Sequence, residues 1–166
     1  MRLRQEVQAL PRRTLERRVA DIPPVPAPPP RPLVLVVAAA LFDRAGRVLI
    51  AQRPAGKVLA GRWEFPGGKV SAGESERSAL GRELHEELGI EVVAARPFMR
   101  LTHTYEERDV ELSLWIVERF SGAPRSLDAQ ALKWVAPEHL GGEDILEADQ
   151  PFIAALRGLG HGPAHG

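Results

Sequence analysis

The stretch that most constrains the fold of this chain is residues 68–90, GKVSAGESERSALGRELHEELGI. Leu80, Leu84 and Leu88 recur at i, i+4 and i+8, which lays one apolar stripe along a helix and demands a sheet to cover it. Glu83, Glu86 and Glu87 stand at i, i+3 and i+4, so the same helix carries three carboxylates on a face beside that stripe. Like charges so placed repel, by roughly a few tenths of a kcal/mol per pair. The ordinary reading of such a run is a solvated acidic face. Three neighbouring features point instead to a bound cation. Glu74 lies two to three turns upstream and can reach the same place from the helix start. Arg82, next to Glu83, can hold a carboxylate by a forked pair. Phe65-Pro66-Gly67-Gly68 lets bare backbone approach a ligand. Hard oxygen donors in this number suit Mg²⁺, or Mn²⁺ as its substitute. The helix is expected to begin near Glu74 or Ser75 and to stop at Gly89 as its C-cap.

At 166 residues the chain is long enough for one domain with a real core. Its formal net charge is zero, which argues for a free nucleotide as partner over stable nucleic-acid binding. It has no cysteine, so thiol nucleophiles, disulfides and Cys-ligated zinc are excluded, in keeping with a cytoplasmic location. The longest apolar run, residues 33–42, is too short to span a bilayer. The expectation is a monomer without membrane attachment.

Residues 1–32 read differently from the rest. Seven arginines face three acids, and a proline-rich run from Pro23 to Pro32 should be extended. A disordered extension is the expectation, with a transit peptide or a docking peptide for a partner as alternatives. Residues 33–160 form the folded domain, and residues 161–166 a flexible tail in which His161 and His165 are too sparse for a metal site.

Within the domain, Leu33–Phe42 reads as a buried strand, and Arg47–Gln52 as its returning hairpin partner across the Asp43–Gly46 turn. Trp63 and Phe65 alternate about Glu64, and Trp63 is expected in the core. Residues 91–102 and 110–120 read as two strands, with one face of the second wholly apolar. Leu132–Val135 is a short strand, Pro137 starts a helix stopped by Gly141-Gly142, and a last helix spans Gln150–Leu159 with Asp149 as candidate N-cap. His85 lies off the acidic face and reads as an exposed helical histidine. This order suggests a mixed sheet between helices.

Gly68, Glu74, Arg82, Glu83, Leu84, Glu86, Glu87, Gly89 and Ile90 occupy every specified position of the Nudix box. The chain resembles the Nudix hydrolases over residues 33–159, and residues 62–69, RWEFPGGK, resemble the MutT branch. The resemblance implies an α/β/α sandwich with a mixed β-sheet between helices, and metal-dependent hydrolysis of a nucleoside triphosphate to monophosphate and pyrophosphate. It assigns Glu83, Glu86 and Glu87 as metal ligands, with the Gly67 or Gly68 carbonyl adding another. Arg82 is expected to orient carboxylates, and Glu74 either to bind metal through water or to hold Arg82. Asp128, in the loop before the late strand, stands where relatives place a basic glutamate; being one methylene shorter, it can cede that role to a helix glutamate. Arg53, Phe65, Gly67, Gly68, Lys69 and Asp149 are the expected substrate contacts, and Tyr105 lies near a tyrosine used in that branch. Asp149 stands where relatives carry an asparagine, which leaves the base open. 8-Oxo-dGTP leads, followed by CTP and then dinucleoside polyphosphates. A non-catalytic nucleotide sensor is the alternative of another class, and the intact box argues against it.

Overall fold

The nine residues of β1 (Leu33–Leu41) are apolar on both parities from Val37 onward, the pattern of a strand covered on both faces. The computed structural model, which describes Ala27 and residues 29–159, shows why. β1 runs parallel to β6 (Asp109–Ser121) and antiparallel to β4 (Gly67–Lys69) in a mixed four-stranded sheet ordered β4-β1-β6-β5, where β5 spans Glu91–Thr104. Val37, Ala39 and Leu41 face α1 (Glu76–Leu88) and its stripe of Leu80, Leu84 and Leu88. Ala38 and Ala40 face the opposite way, towards Phe152, Ile153 and Leu156 of α2 (Gln150–Gly158). The result is the expected α/β/α sandwich. Each buried α1 leucine contributes roughly 1.5–3 kcal/mol to that packing.

α1 starts and stops as its sequence requires. Ser75 is the N-cap and its side chain accepts from the Ser78 N–H at 3.1 Å; Gly89, at φ 68°, donates its N–H to the His85 carbonyl. The apolar parity of β6, Val110, Leu112, Leu114 and Ile116, lies in the α2-side core, as expected. The other parity is covered too. Ser113 is buried, and Glu76 of α1 accepts from both the Ser113 hydroxyl and the Trp115 indole N–H. Burial alone would raise the Glu76 carboxyl, but those donors and Arg100 together hold it below its ordinary value.

Four expectations are corrected. β2 (Val48–Gln52) does not return along β1: only the Phe42–Val48 bridge joins them. β1 already has β4 and β6 on its two edges, so β2 leaves to pair with β3 (Trp63–Glu64) and β7 (Leu132–Val135) in a second, three-stranded sheet. The segment after Pro137 is a 3₁₀ turn, Pro137–Gly142, that includes the glycines meant to stop it. Asp149 precedes α2 but caps nothing with its side chain; its carboxylate accepts instead from the Phe65 N–H at 3.2 Å. Trp63 is only half buried, packed at the core's edge with the Lys133 ammonium 5.8 Å from its ring. The fold proper begins at Arg31, whose guanidinium donates to the Tyr105 carbonyl, and Pro32, whose carbonyl accepts from Asp109. The readings of residues 1–26 and of the tail from residue 160 lie outside the described residues. No helix among the described residues is long and apolar enough to cross a membrane.

Candidate active site

Of the residues singled out above, Arg53, Phe65, Gly67, Gly68, Lys69, Glu83, Glu87, Tyr105 and Asp149 line one cavity of about 430 Å³, bounded by β1, β4, α1 and the β5–β6 hairpin. Its apolar wall comes from strand register. Val34 lies opposite Val110 and Val36 opposite Leu112, so four side chains of two neighbouring strands share one sheet face. Four carboxylates line it, Glu64, Glu83, Glu87 and Asp149, and four cationic side chains, Arg53, Lys57, Lys69 and Arg108. Such a mixture of flat apolar wall, cations and clustered carboxylates can accept a ring system, a polyphosphate and a metal together.

The carboxylate end is built by α1 against β4. Arg82 forks onto Glu74, with Nε–Oε1 2.9 Å and Nη2–Oε2 3.0 Å, and reaches Glu83 at 2.8 Å, Glu86 at 3.5 Å and the Lys69 carbonyl at 3.0 Å. Hydrogen bonds from Arg82 and from the Ser71 N–H hold Glu74 down at about 2, and the Arg82 pKa is raised in turn. Of the two roles weighed for Glu74, holding Arg82 is the contact seen. Glu83 and Glu87 line the cavity, whereas Glu86 is 58% exposed and stands outside its lining. Glu87 accepts from the Gly67 N–H at 3.3 Å. Burial, reinforced by the charges of Glu83 and Glu64, pushes the Glu87 carboxyl up to about 7.

Among the described residues no three acidic or histidine side chains converge into a preformed metal cage. The donor chemistry nevertheless fits a hard divalent cation. Glu83 and Glu87 are oxygen donors whose mutual repulsion a cation would relieve. Gly68 leaves room for them: a Cβ there would strike the Glu83 carboxylate. Of the expected ligands, Glu83, Glu87, Gly67 and Gly68 line the cavity and could hold a metal, with Glu86 outside the lining.

At the other end, Asp149 lines the cavity yet is only 4% exposed. Burial pushes its carboxyl up to about 7, Glu64 adds to that, and Arg53 and the Phe65 N–H oppose it. Phe65 also lines the cavity, but its ring is held edge-on to Phe152 in the core, with 4% exposure. Arg53 sits between the two ends. It bonds Glu64 Oε2 at 2.5 Å and the Val58 carbonyl at 2.7 Å, which ties β2 to the loop of residues 54–61. Tyr105 reaches the cavity from the β5–β6 hairpin, and burial raises its hydroxyl pKa.

Asp128 is not brought to the cavity. It is half exposed, outside the lining, and ion-paired at 3.1 Å to Lys57, which does line the cavity. Sequence reasoning passed over Glu64 and Arg108, both of which line the site, while Lys57 lies in the 54–61 loop expected to border the substrate. Glu64 had a signal: alternation sets it opposite Trp63 and Phe65, a lone charge on its own face of a short strand.

Comparison with known proteins agrees with this geometry. A family model for the NUDIX domain matches residues 37–155. The chain is 40% identical over 126 residues to the CTP pyrophosphohydrolase of Escherichia coli (strain K12), covering 76% of this chain and 93% of that protein. It is 36% identical over 112 residues to the 8-oxo-dGTP diphosphatase of the same organism, covering 68% and 87%. Among solved structures, the solution structure of the E. coli ORF135 protein superposes with a TM-score of 0.70 at 40% identity, covering 78% of this chain and 91% of that one. With the box, the sandwich and these likenesses in agreement, the chain belongs to the Nudix hydrolase family, in its MutT-like branch.

Proposed function

We propose that this enzyme is a Mg²⁺-dependent nucleoside triphosphate pyrophosphohydrolase, acting on 8-oxo-dGTP and so removing an oxidised precursor before DNA synthesis. The observation that carries the reading is the position of Asp149. A buried carboxyl lines the same cavity as Glu83 and Glu87, and that cavity has an apolar wall drawn from two neighbouring strands. A triphosphate laid along that cavity puts its base against Val34, Val36, Val110 and Leu112 and its phosphates against the helix carboxylates.

Nudix hydrolases use divalent metal ions, and here Glu83 and Glu87 are the residues that would hold one. Mg²⁺ supplies neutralisation of the phosphate charge and acidification of an attacking water. Arg82 keeps Glu83 in one orientation, while Arg53, Lys57 and Lys69 meet the phosphate oxygens. The base role falls to a helix glutamate, since Asp128 is half exposed, paired with Lys57 and outside the cavity lining. Attack by water then breaks one phosphoanhydride bond and leaves monophosphate and pyrophosphate. Asp149, poised near neutrality, can offer an O–H to O6 of the oxidised guanine and accept the N7–H with its other oxygen.

A second reading has its own support. CTP also presents a donor beside an acceptor, its amino group and N3, and the same acid pairs with both. The likeness to the E. coli CTP pyrophosphohydrolase extends over 93% of that protein's length. The deciding experiment measures kcat/KM with Mg²⁺ for 8-oxo-dGTP, dGTP and CTP, in the parent and in Asp149→Ala. Preference for 8-oxo-dGTP, lost in the variant, supports the first reading. Preference for CTP, lost in the variant, replaces it with the second. Equal loss on all three substrates removes Asp149 from base selection.

A further inference from the structure

The last turn of α1 is held by a side chain that the motif does not contain. Gln130, in the loop between β6 and β7, is 6% exposed, and its amide makes three hydrogen bonds. Nε2 donates to the main-chain carbonyl of Glu87 at 3.1 Å; Oε1 accepts from the Asp128 N–H at 2.9 Å and from the Ser126 hydroxyl at 3.0 Å. The Glu87 carbonyl accepts a second bond, from the Leu127 N–H at 3.0 Å, and the Leu88 carbonyl accepts from the Arg125 N–H at 2.9 Å. A helix end leaves its last carbonyls without partners inside the helix. Here a loop from 37 or more residues downstream satisfies two of them, and one of the two belongs to the residue whose carboxylate faces the cavity.

The loop itself is not relaxed. Ala129, between Asp128 and Gln130, has φ 56°, a left-handed conformation that costs an alanine on the order of 1 kcal/mol or more. Such a turn persists only where its surroundings hold it, and the bonds that the Gln130 side chain, just after Ala129, accepts from Ser126 and Asp128, just before it, span the turn. A side chain buried to this degree, bonded to three partners on two segments, is specified by geometry and not by solvation.

We infer that Gln130 is a positioning residue for catalysis: it locks the backbone of Glu87, and with it the cavity-facing carboxylate, to the loop that carries Asp128. The inference rests on the reading of Glu87 as a metal-holding residue. Glu87 also meets Gly67 through its carboxylate, so its main chain and side chain are pinned from opposite sides, by the loop and by β4. Loosening one pin shifts the carboxylate relative to the substrate phosphates without touching the base end of the cavity. Supporting partners of metal-holding groups commonly contribute about 10- to 100-fold in metal affinity or rate.

The test uses the full chain and three variants. Gln130→Glu keeps the shape and the acceptor for Asp128 and Ser126 but loses the donor to the Glu87 carbonyl. Gln130→Met loses all three bonds, and Glu87→Gln reports on the underlying reading. kcat and KM for the preferred nucleotide, Mn²⁺ affinity without nucleotide by electron paramagnetic resonance, and the melting temperature are measured for each. The expected result for both Gln130 variants is a kcat lowered by about 10- to 100-fold and a weakened Mn²⁺ affinity, with KM within about twofold. Gln130 variants that match the parent in kcat and Mn²⁺ affinity, beside an inactive Glu87→Gln, overturn the inference alone. A fully active Glu87→Gln overturns the reading beneath it. If Gln130→Met does not fold, Gln130→Glu decides; if neither folds, Gln130 serves folding and the inference is overturned.

Discussion

Arg53 Nη1 lies 2.5 Å from Glu64 Oε2, and that ion pair joins the two ends of the cavity. Glu64 raises the pKa of both Glu87 and Asp149 through its charge, and Arg53 opposes that effect at Asp149. Burial raises Glu64 itself, against the pull of Arg53 and Lys57. Removing Arg53 therefore does more than delete a phosphate contact.

The first prediction concerns Arg53→Ala. It leaves Glu64 without its guanidinium partner and frees the Val58 carbonyl, so the loop of residues 54–61 loses its side-chain tie to Arg53 and keeps the backbone bonds at Gly61 and Arg62. KM for the nucleotide should rise by about tenfold, and denaturant titration should show a loss of roughly 1–3 kcal/mol. Unchanged KM would remove Arg53 from substrate binding.

The second concerns Asp149 and pH. Its carboxyl has an ordinary value of 3.8 and is pushed up to about 7 in the folded chain. The unfolded chain therefore releases this proton first. Between those two pH values the folded state holds more protons, so stability is greatest below the lower value and is lost as pH rises through the upper one. Asp149→Asn keeps an acceptor for the Phe65 N–H and removes the titration. The variant should gain on the parent as pH rises from 4 to 8, by on the order of 2–4 kcal/mol at the upper end. Glu87 is shifted in the same sense in both proteins, so the difference isolates Asp149. Parallel stability–pH curves would contradict the burial argument.

A third prediction separates activity from stability. A Cβ at Gly68 would strike the Glu83 carboxylate, which is the far end of a flexible side chain and can swing aside. Gly68→Ala should cost little in melting temperature and reduce kcat by about tenfold or more, because Glu83 no longer points as Arg82 holds it. Gly67 differs. Its added Cβ would meet the Val37 carbonyl and the Ala38 backbone, which cannot move, so Gly67→Ala should unfold the β1–β4 pairing. Circular dichroism melts on the two variants check the stability difference, and kcat of Gly68→Ala checks the loss of activity.

How far the sequence could be read depended on the range of the contacts involved. α1 was legible in full, because the leucine stripe, the Ser75 cap and the Gly89 stop are all local. β2 was legible as a strand but not in its partner: Val48, Leu49 and Ile50 are buried on both parities, which says that the strand is covered and not which sheet receives it. Asp149 looked like an N-cap because it precedes Pro151, and the pull of the Phe65 N–H, 84 residues away, could not be seen. Gln130 was invisible for the same reason, since its bond to Glu87 spans 43 residues. Asp128 was found by position in a motif, and its Lys57 partner, 71 residues away, was not.

The most direct test of the central claim is a Mg²⁺ titration of nucleoside triphosphate hydrolysis by the parent and by Glu87→Gln, with both proteins confirmed to be folded. The account predicts a parent inactive without divalent metal and active with it, releasing pyrophosphate. It predicts a variant slower by about a hundredfold or more at saturating Mg²⁺, with nucleotide binding retained. Hydrolysis that does not respond to metal, or a Glu87→Gln enzyme as fast as the parent, would contradict the assignment of catalysis to the α1 carboxylate face.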